Sequence, residues 1–259
     1  MFSPAGGSAV RTIRPWLWLL LLALLTGCAS TGGEPSTGPS DPLEGVNRGV
    51  YGFNEVLDDY ALAPAARGWT RITTPGVRDS VGNFFDNLAA PGVVLNNLLQ
   101  GKFRDASATT ARFLVNSTVG VLGLFDPADR YLGIAAREED FGQTLGVWGV
   151  ENRPYLVVPL FGPSSGRDVT RYPVGYYTNV LTYVALDTVT MGAFTAVNVI
   201  NTRAQLDRAA RLRDESAIDP YAFTRSAYLQ YREQQVYDGN PPQDEDPYGD
   251  FFDELESGD

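Results

Sequence analysis

This chain predicts a mainly α-helical domain carrying one small β-hairpin, and three stretches carry that prediction. "DPLEGVNRGVYGFNEVLDDY" opens with a helix-start signal and places Leu43, Val46, Val50, Phe53, Leu57 and Tyr60 at alternating steps of three and four. Tyr172–Thr202 holds one charge, Asp187, in 31 residues, with 15 uncharged residues on each side. Each half is too short to span a bilayer as a helix. "ENRPYLVVPLF" reads as a turn followed by a short β-prone run from Tyr155 to Phe161.

The N-terminal end comes first in chain order. Pro15–Leu25 is an uncharged run of eleven residues behind Arg11 and Arg14. As a helix it would reach roughly 16 Å, about half a bilayer core. Residues 1–27 therefore read as a secretory signal. Leu25-Thr26-Gly27-Cys28 ends in the only cysteine of the chain and resembles the lipobox of bacterial lipoproteins. Cys28 is expected to become the lipidated N-terminus, since two or more acyl chains anchor where one binds marginally. Ala29 follows where an Asp would resemble an inner-membrane retention signal, so the outer membrane is the expected destination. The rest of 28–40, "STGGEPSTGPS", is a polar tether.

The domain itself is expected over 41–237. Asp41 reads as the N-cap of the first helix, with Pro42 at its first position and Glu44 at N3. Asn47, Arg48, Asn54, Glu55 and Asp58 lie off its apolar stripe. That pattern fits a helix facing a soluble core and one lying on a membrane equally well. "FRDASATTARFLVNSTVGVLGLF" carries a polar stripe of Asp105, Thr109, Arg112 and Asn116, then no charge from Thr118 to Phe125. The uncharged halves around Asp187 suit in-plane or half-depth helices about a polar interior, and also a large soluble core. Gly142, Gly146 and Gly149 punctuate the hairpin region, with Gly146 and Gly149 expected in the hairpin itself, and further helices are expected near Thr202–Asp214 and from Asp219-Pro220 toward Tyr237. Asp238–Asp259 has nine acidic residues and no basic one, so disorder is expected there.

The charge is −11 overall, and −13 once Arg11 and Arg14 leave with the signal. Setting the acidic tail aside leaves about −4, with no basic patch for a nucleic acid. The absence of histidine removes the usual general base, the commonest metal ligand and any Ser-His-Asp triad. "GPSSG", Gly162–Gly166, matches a nucleophile elbow, but its serines have only Lys102, the sole lysine, as a dyad partner. It reads as a turn ending an apolar strand. Asp58-Asp59 and Glu138-Glu139-Asp140 read as solvated charge, without the spacing of a Ca²⁺ loop. No enzyme, no cofactor and no metal site is expected.

Taken together, "DPLEGVNR…FN", "GVRDSVGNFFDNL…P…LNNLLQGK", "RFLVNSTVG…GLFD", "FGQTLGVWGV…PYLVVPLFGPSSGRD" and "TRAQLD" resemble the VacJ/MlaA family of outer-membrane lipoproteins over about Asp41–Arg232. The resemblance implies a ring of helices in the inner leaflet of the outer membrane, around an amphipathic channel. Through it, phospholipids that have strayed to the outer leaflet would pass to a soluble periplasmic carrier, beside trimeric porins. It further implies that Asp105, Arg112, Asn116, Arg153 and Asp187 are candidate channel or headgroup contacts, and that Gly146 and Gly149 are candidate hinges. The family often has Gly-Pro-Tyr where this chain has Arg153-Pro154-Tyr155. Two other readings stand beside it: an envelope scaffold that binds porins without moving lipid, and a lipid hydrolase using Ser164 or Ser165.

Overall fold

Polar side chains, more than apolar ones, point inward in this protein. The structure is a computed structural model, and it describes residues 41–185 and 187–242. The signal, Cys28, the tether and most of the acidic tail lie outside the described residues.

Helix α1 (Glu44–Leu57) starts two residues later than its capping signal suggests. Asp41 instead accepts the Leu43 N–H at 3.1 Å, one turn ahead of the helix. A single π-turn at Asp58–Leu62 joins α1 to α2 (Ala63–Ile72). Helix α3 (Pro75–Leu99) has Thr74 as N-cap, and a short turn returns the chain into α4 (Phe103–Thr118) packed along it. Next come α5 (Pro127–Leu132), capped by Asp126 and closed by left-handed Gly133, and α6 (Phe141–Val147), capped by Asp140. Strands β1 (Tyr155–Val158) and β2 (Gly162–Ser165) form an antiparallel pair with Tyr155 opposite Ser165. The remaining helices are α7 (Arg171–Thr178), α8 (Leu181–Val184), α9 (Thr188–Gln205), α10 (Asp207–Ser216) and α11 (Pro220–Val236). Asp187 caps α9 and Asp219 caps α11. Among the described residues, no helix is long and apolar enough to cross a membrane.

Burial bears on the two readings open for α1. Val46, Phe53 and Tyr60 of the apolar stripe point outward, with Phe53 54% and Tyr60 83% exposed, while Asn47 is 1% exposed. The reason lies in the hairpin. Asn47 donates to the Tyr155 carbonyl at 3.0 Å and accepts the Val157 N–H at 2.9 Å. Two turns on, Asn54 does the same for the Val158 carbonyl at 3.0 Å and the Leu160 N–H at 2.9 Å. Asn47 thus stands in for a third strand beside β1, and Asn54 ties down the turn that follows it.

The apolar cluster behind the hairpin is correspondingly small: Tyr155, Val157, Tyr221 and Tyr228, with Val50, Tyr51 and Leu229 against it, while Phe85, Leu88 and several alanines are buried elsewhere. The largest fully buried side chains are all polar, Arg232, Gln143, Asn47, Asn97 and Asn201 foremost. A soluble domain of this size would show the reverse arrangement.

Three further expectations give way. "GPSSG" is strand β2 rather than a turn, and the turn lies before it at Pro159–Phe161. Glu139 and Asp140 are not solvated: Glu139 binds Lys102 at 2.9 Å, and Asp140 caps α6 while binding Arg232. Asp58 holds Arg203 in a two-pronged pair at 2.6 and 2.8 Å. The acidic segment also begins attached, since Asp238 pairs with Lys102 at 2.6 Å.

Candidate functional site

Helix α4 carries Asp105, Thr109, Arg112 and Asn116 on one face, at steps of four, three and four. That face turns toward α3, which presents Asn83, Asp86 and Asn87, and a cavity of about 80 Å³ lies between them. Arg112 reaches across to Asp126 at 2.6 Å and also donates to the Ile134 carbonyl. Asn116 donates to Asp126 at 2.9 Å and accepts the Ala128 N–H at 3.1 Å. Burial works to raise the Asp126 carboxyl, but the hydrogen bonds from Arg112, Asp129 N–H and Asn116 hold it below the ordinary carboxylate value. Arg137, at the far wall, pairs with Asp105 at 3.2 Å. Asp86 has no such support. Partial loss of water, with Glu138 and Asp126 nearby and only Arg112 opposing them, pushes it up to about 6.

An apolar turn abuts this cavity. Residues 119–125 leave α4 as a tight knuckle in which Val121 and Leu122 take positive φ values of 54° and 60°. Non-glycine residues rarely adopt that geometry, and a β-branched one such as Val121 least of all. It is held by Gly123 N–H donating to the Asn116 carbonyl at 2.8 Å and Phe125 N–H to the Gly120 carbonyl at 2.9 Å. Gly123, itself at φ 91°, lies so close to Asn87 that a Cβ there would collide with that side chain. The outcome is that Val119, Val121, Leu122, Leu124 and Phe125 all face outward.

Behind the hairpin sits a buried ion network. Asp168 is 0% exposed and accepts from Arg232 Nε at 2.8 Å, Arg167 Nε at 2.8 Å and the Tyr228 hydroxyl at 2.6 Å. Burial opposes its charge, yet these donors hold its carboxyl at about 2. Arg232 continues to Asp140 through two contacts at 2.7 and 2.9 Å. Helix α6 reaches this network because Gly142 and Gly146 have no side chains. A Cβ at Gly142 would lie 2.5 Å from Asp168 Oδ1, and one at Gly146 2.8 Å from Arg167 Nη1.

The family model described as MlaA lipoprotein matches residues 39–235. The chain belongs to the MlaA lipoprotein family. It is 38% identical over 211 residues to the intermembrane phospholipid transport system lipoprotein MlaA of Escherichia coli K12, covering 80% of this chain and 82% of that one. The Haemophilus influenzae protein of the same description is 31% identical over 238 residues, covering 85% and 89%. A chain solved in work on the structural basis for maintenance of bacterial outer membrane lipid asymmetry superposes with a TM-score of 0.68. It is 33% identical to this chain, covering 76% of it and all of its own length.

The cavity, the knuckle and the ion network all fall within the MlaA match. Of the candidate contacts, Arg112 and Asn116 line the cavity, and Asp105 touches it only through its pair with Arg137. Arg153 and Asp187 do not join them: Arg153 is exposed in the loop before β1, and Asp187 serves as the α9 cap, accepting the Thr190 N–H at 2.7 Å. Gly146 and Gly149 are not in the hairpin. Gly146 is the close contact of α6, and Gly149 is a left-handed residue just past that helix, at φ 89° and with open space around it. Ser164 and Ser165 are fully buried, and Ser165 Oγ accepts the Asp168 N–H at 3.0 Å. Lys102, their one conceivable base, is occupied by Glu139 and Asp238. Asn83, Asp86 and Asn87 went unrecognised as site residues, although their i, i+3, i+4 spacing within an apolar helix was a usable signal.

Proposed function

We propose that this chain is a lipid-anchored outer-membrane lipoprotein that removes mislocalised phospholipids from the outer leaflet. It passes them along an amphipathic path toward a soluble periplasmic carrier. The observation that carries this reading is the inverted distribution of polarity. Asn47, Asn97, Asn201 and Arg232 are enclosed, while Val46, Phe53, Tyr60 and the 119–125 knuckle are exposed. Exposed apolar surface is stable against hydrocarbon and costly against water, and a polar interior gives headgroups a route that acyl chains alone do not offer. Described helices none of which is both long and apolar enough to cross a bilayer suit a ring seated in a single leaflet, beside trimeric porins.

In this reading Cys28 is the anchor, and Gly149 is the hinge between α6 and the hairpin, because its surroundings leave it room to move. Moving lipid along a path needs no nucleophile, which agrees with serines locked in β2. The test is outer-leaflet phospholipid in cells with and without this protein. Accumulation on loss, reversed by the wild-type chain, is the expected result. Unchanged asymmetry together with an altered porin association would favour the scaffold reading, and lysophospholipid appearing with the protein would favour the hydrolase.

A further inference from the structure

The ion network behind the hairpin holds one guanidinium more than its carboxylates serve. Asp168 Oδ1 accepts from Arg167 Nε at 2.8 Å and Arg232 Nη2 at 3.1 Å. Its Oδ2 accepts from Arg232 Nε at 2.8 Å and the Tyr228 hydroxyl at 2.6 Å. Asp140 accepts from Arg232 on both oxygens, at 2.7 and 2.9 Å, and from the Gln143 N–H as well. Arg171, the first residue of α7, lies beside Tyr228 and Arg232 and forms no ion pair among the described residues. Arg167, Arg171 and Arg232 thus share Asp140 and Asp168, and Arg171 is the surplus cation.

What holds Arg171 also leaves it available. Its Nη2 donates to the Tyr172 hydroxyl at 3.0 Å, and its Cζ lies 4.9 Å from the centre of that ring. Nε and Nη1 have no partner in the protein and are not enclosed, so a half-buried guanidinium keeps most of its donors free. Water solvates those donors but leaves the charge in place. An oxyanion takes the same donors, in the planar geometry that suits a guanidinium, and cancels the surplus.

A second observation gives the ligand an apolar part. Tyr172 also packs on Phe161 of the hairpin turn, with ring centres 4.6 Å apart, so the guanidinium and the turn share one aromatic neighbour. Leu160, just before Phe161, sits at φ 70°, a region that non-glycine residues enter only where their surroundings enforce it. Asn54 does so by accepting the Leu160 N–H at 2.9 Å. Leu160 and Phe161 are held outward as a result, 65% and 61% exposed, at a cost in apolar surface left to water. A surplus cation bordered by a constrained apolar tip matches an amphiphile with an anionic phosphate. We propose that Arg171 is a phosphate-binding residue for phospholipids, donating to the phosphodiester oxygens while Leu160 and Phe161 receive the acyl chains. The phosphodiester is common to all glycerophospholipids, so this contact does not choose between headgroups. The assignment rests on the phospholipid-handling function proposed above and adds a named contact to it.

The full lipidated protein in nonionic detergent, with isotope-labelled arginine side chains, is titrated separately with dihexanoyl phosphatidylglycerol, dihexanoyl phosphatidylcholine, dihexanoylglycerol and inorganic phosphate. Calorimetry measures affinity, and the arginine Nε resonance that disappears in Arg171→Gln or Arg171→Lys reports on the site itself. Both phospholipids are expected to bind wild type with similar affinity and to shift that resonance. Arg171→Gln weakens both by about tenfold, the effect of one charge-assisted hydrogen bond partly screened by water. Arg171→Lys, which keeps the charge, weakens them less, and thermal melts confirm that both variants fold. Phospholipid that binds without shifting the Arg171 resonance, or with unchanged affinity for Arg171→Gln, overturns the site while leaving the transport function standing. Dihexanoylglycerol, which has no phosphate, binding as tightly as the phospholipids overturns the phosphate contact. Inorganic phosphate producing the full shift at the same concentration overturns the part given to Leu160 and Phe161 and points to a free phosphate. A wild type that binds no phospholipid at all overturns the underlying function instead.

Discussion

Replacing Asp168 with Asn removes one charge from the centre of the ion network and changes almost nothing in volume. The carboxylate accepts from Arg232, Arg167 and Tyr228, and both guanidinium groups are nearly enclosed, Arg232 at 1% exposure. Holding the Asp168 carboxyl at about 2 instead of the ordinary 3.8 corresponds to roughly 2 kcal/mol at neutral pH. The variant also leaves Arg232 with Asp140 as its one carboxylate and buried Arg167 with none, and an uncompensated buried charge costs about 3–5 kcal/mol. Since the two figures count the same interaction, the expected loss is about 3–5 kcal/mol and not their sum. For a domain of this size that is a fall of about 6–20 °C in melting temperature. Thermal unfolding followed by circular dichroism in detergent reads it. The pH dependence supplies a second check. A carboxylate depressed in the folded state stabilises above its unfolded value, and that contribution is lost as pH falls through 4 toward 2. The gap between wild type and Asp168→Asn should therefore narrow below pH 4. A drop of only a degree or two, or a gap independent of pH, would refute the reasoning.

Gly142→Ala and Gly146→Ala should each lose about 1–3 kcal/mol by overpacking against the ion network, whereas Gly45→Ala, with nothing within 4 Å, should gain up to about 1 kcal/mol. A melt of all three in parallel shows whether close approach explains the glycines of α6. Asn47→Ala leaves the Tyr155 carbonyl and the Val157 N–H without partners and should cost about 2–3 kcal/mol, detectable as early loss of protection at the Val157 amide in hydrogen exchange. Asp86→Asn has the opposite sign: a carboxyl raised to about 6 disfavours its charged form, so the substitution should stabilise by about 1 kcal/mol above pH 6, after discounting for solvent access. That gain should vanish below pH 4. Cys28→Ala should abolish outer-membrane retention in a fractionation experiment, since no described helix can span the bilayer.

The cap at Asp219 and the hairpin strand Tyr155–Val158 were legible because each depends on neighbours within a few residues. The polar stripe of α4 was legible for the same reason: Thr109, Arg112 and Asn116 share a face whatever lies opposite. Which way a stripe points was not legible. The stripe of Val46, Phe53 and Tyr60 has the same periodicity against a core as against lipid, and only the pairing of Asn47 and Asn54 with β1 decides between them. Glu139 and Asp140 looked solvated because their partners, Lys102 and Arg232, lie 37 and 92 residues away. Gly142 and Gly146 looked like strand punctuation because a glycine needed for close approach and one needed for a turn are the same letter. Their packing partners, Asp168 and Val236, sit far along the chain.

Photocrosslinking with phospholipids that carry a diazirine either on the headgroup or at the acyl terminus tests the polarity argument most directly. The inward face of α4 and the outward face of α1 should label differently. Headgroup probes should mark peptides containing Thr109 and Asn116, and acyl probes those containing Val46 and Phe53 together with the 119–125 knuckle. Acyl probes labelling the α3–α4 cavity as strongly as the α1 surface, or headgroup probes failing to reach it, would contradict the account.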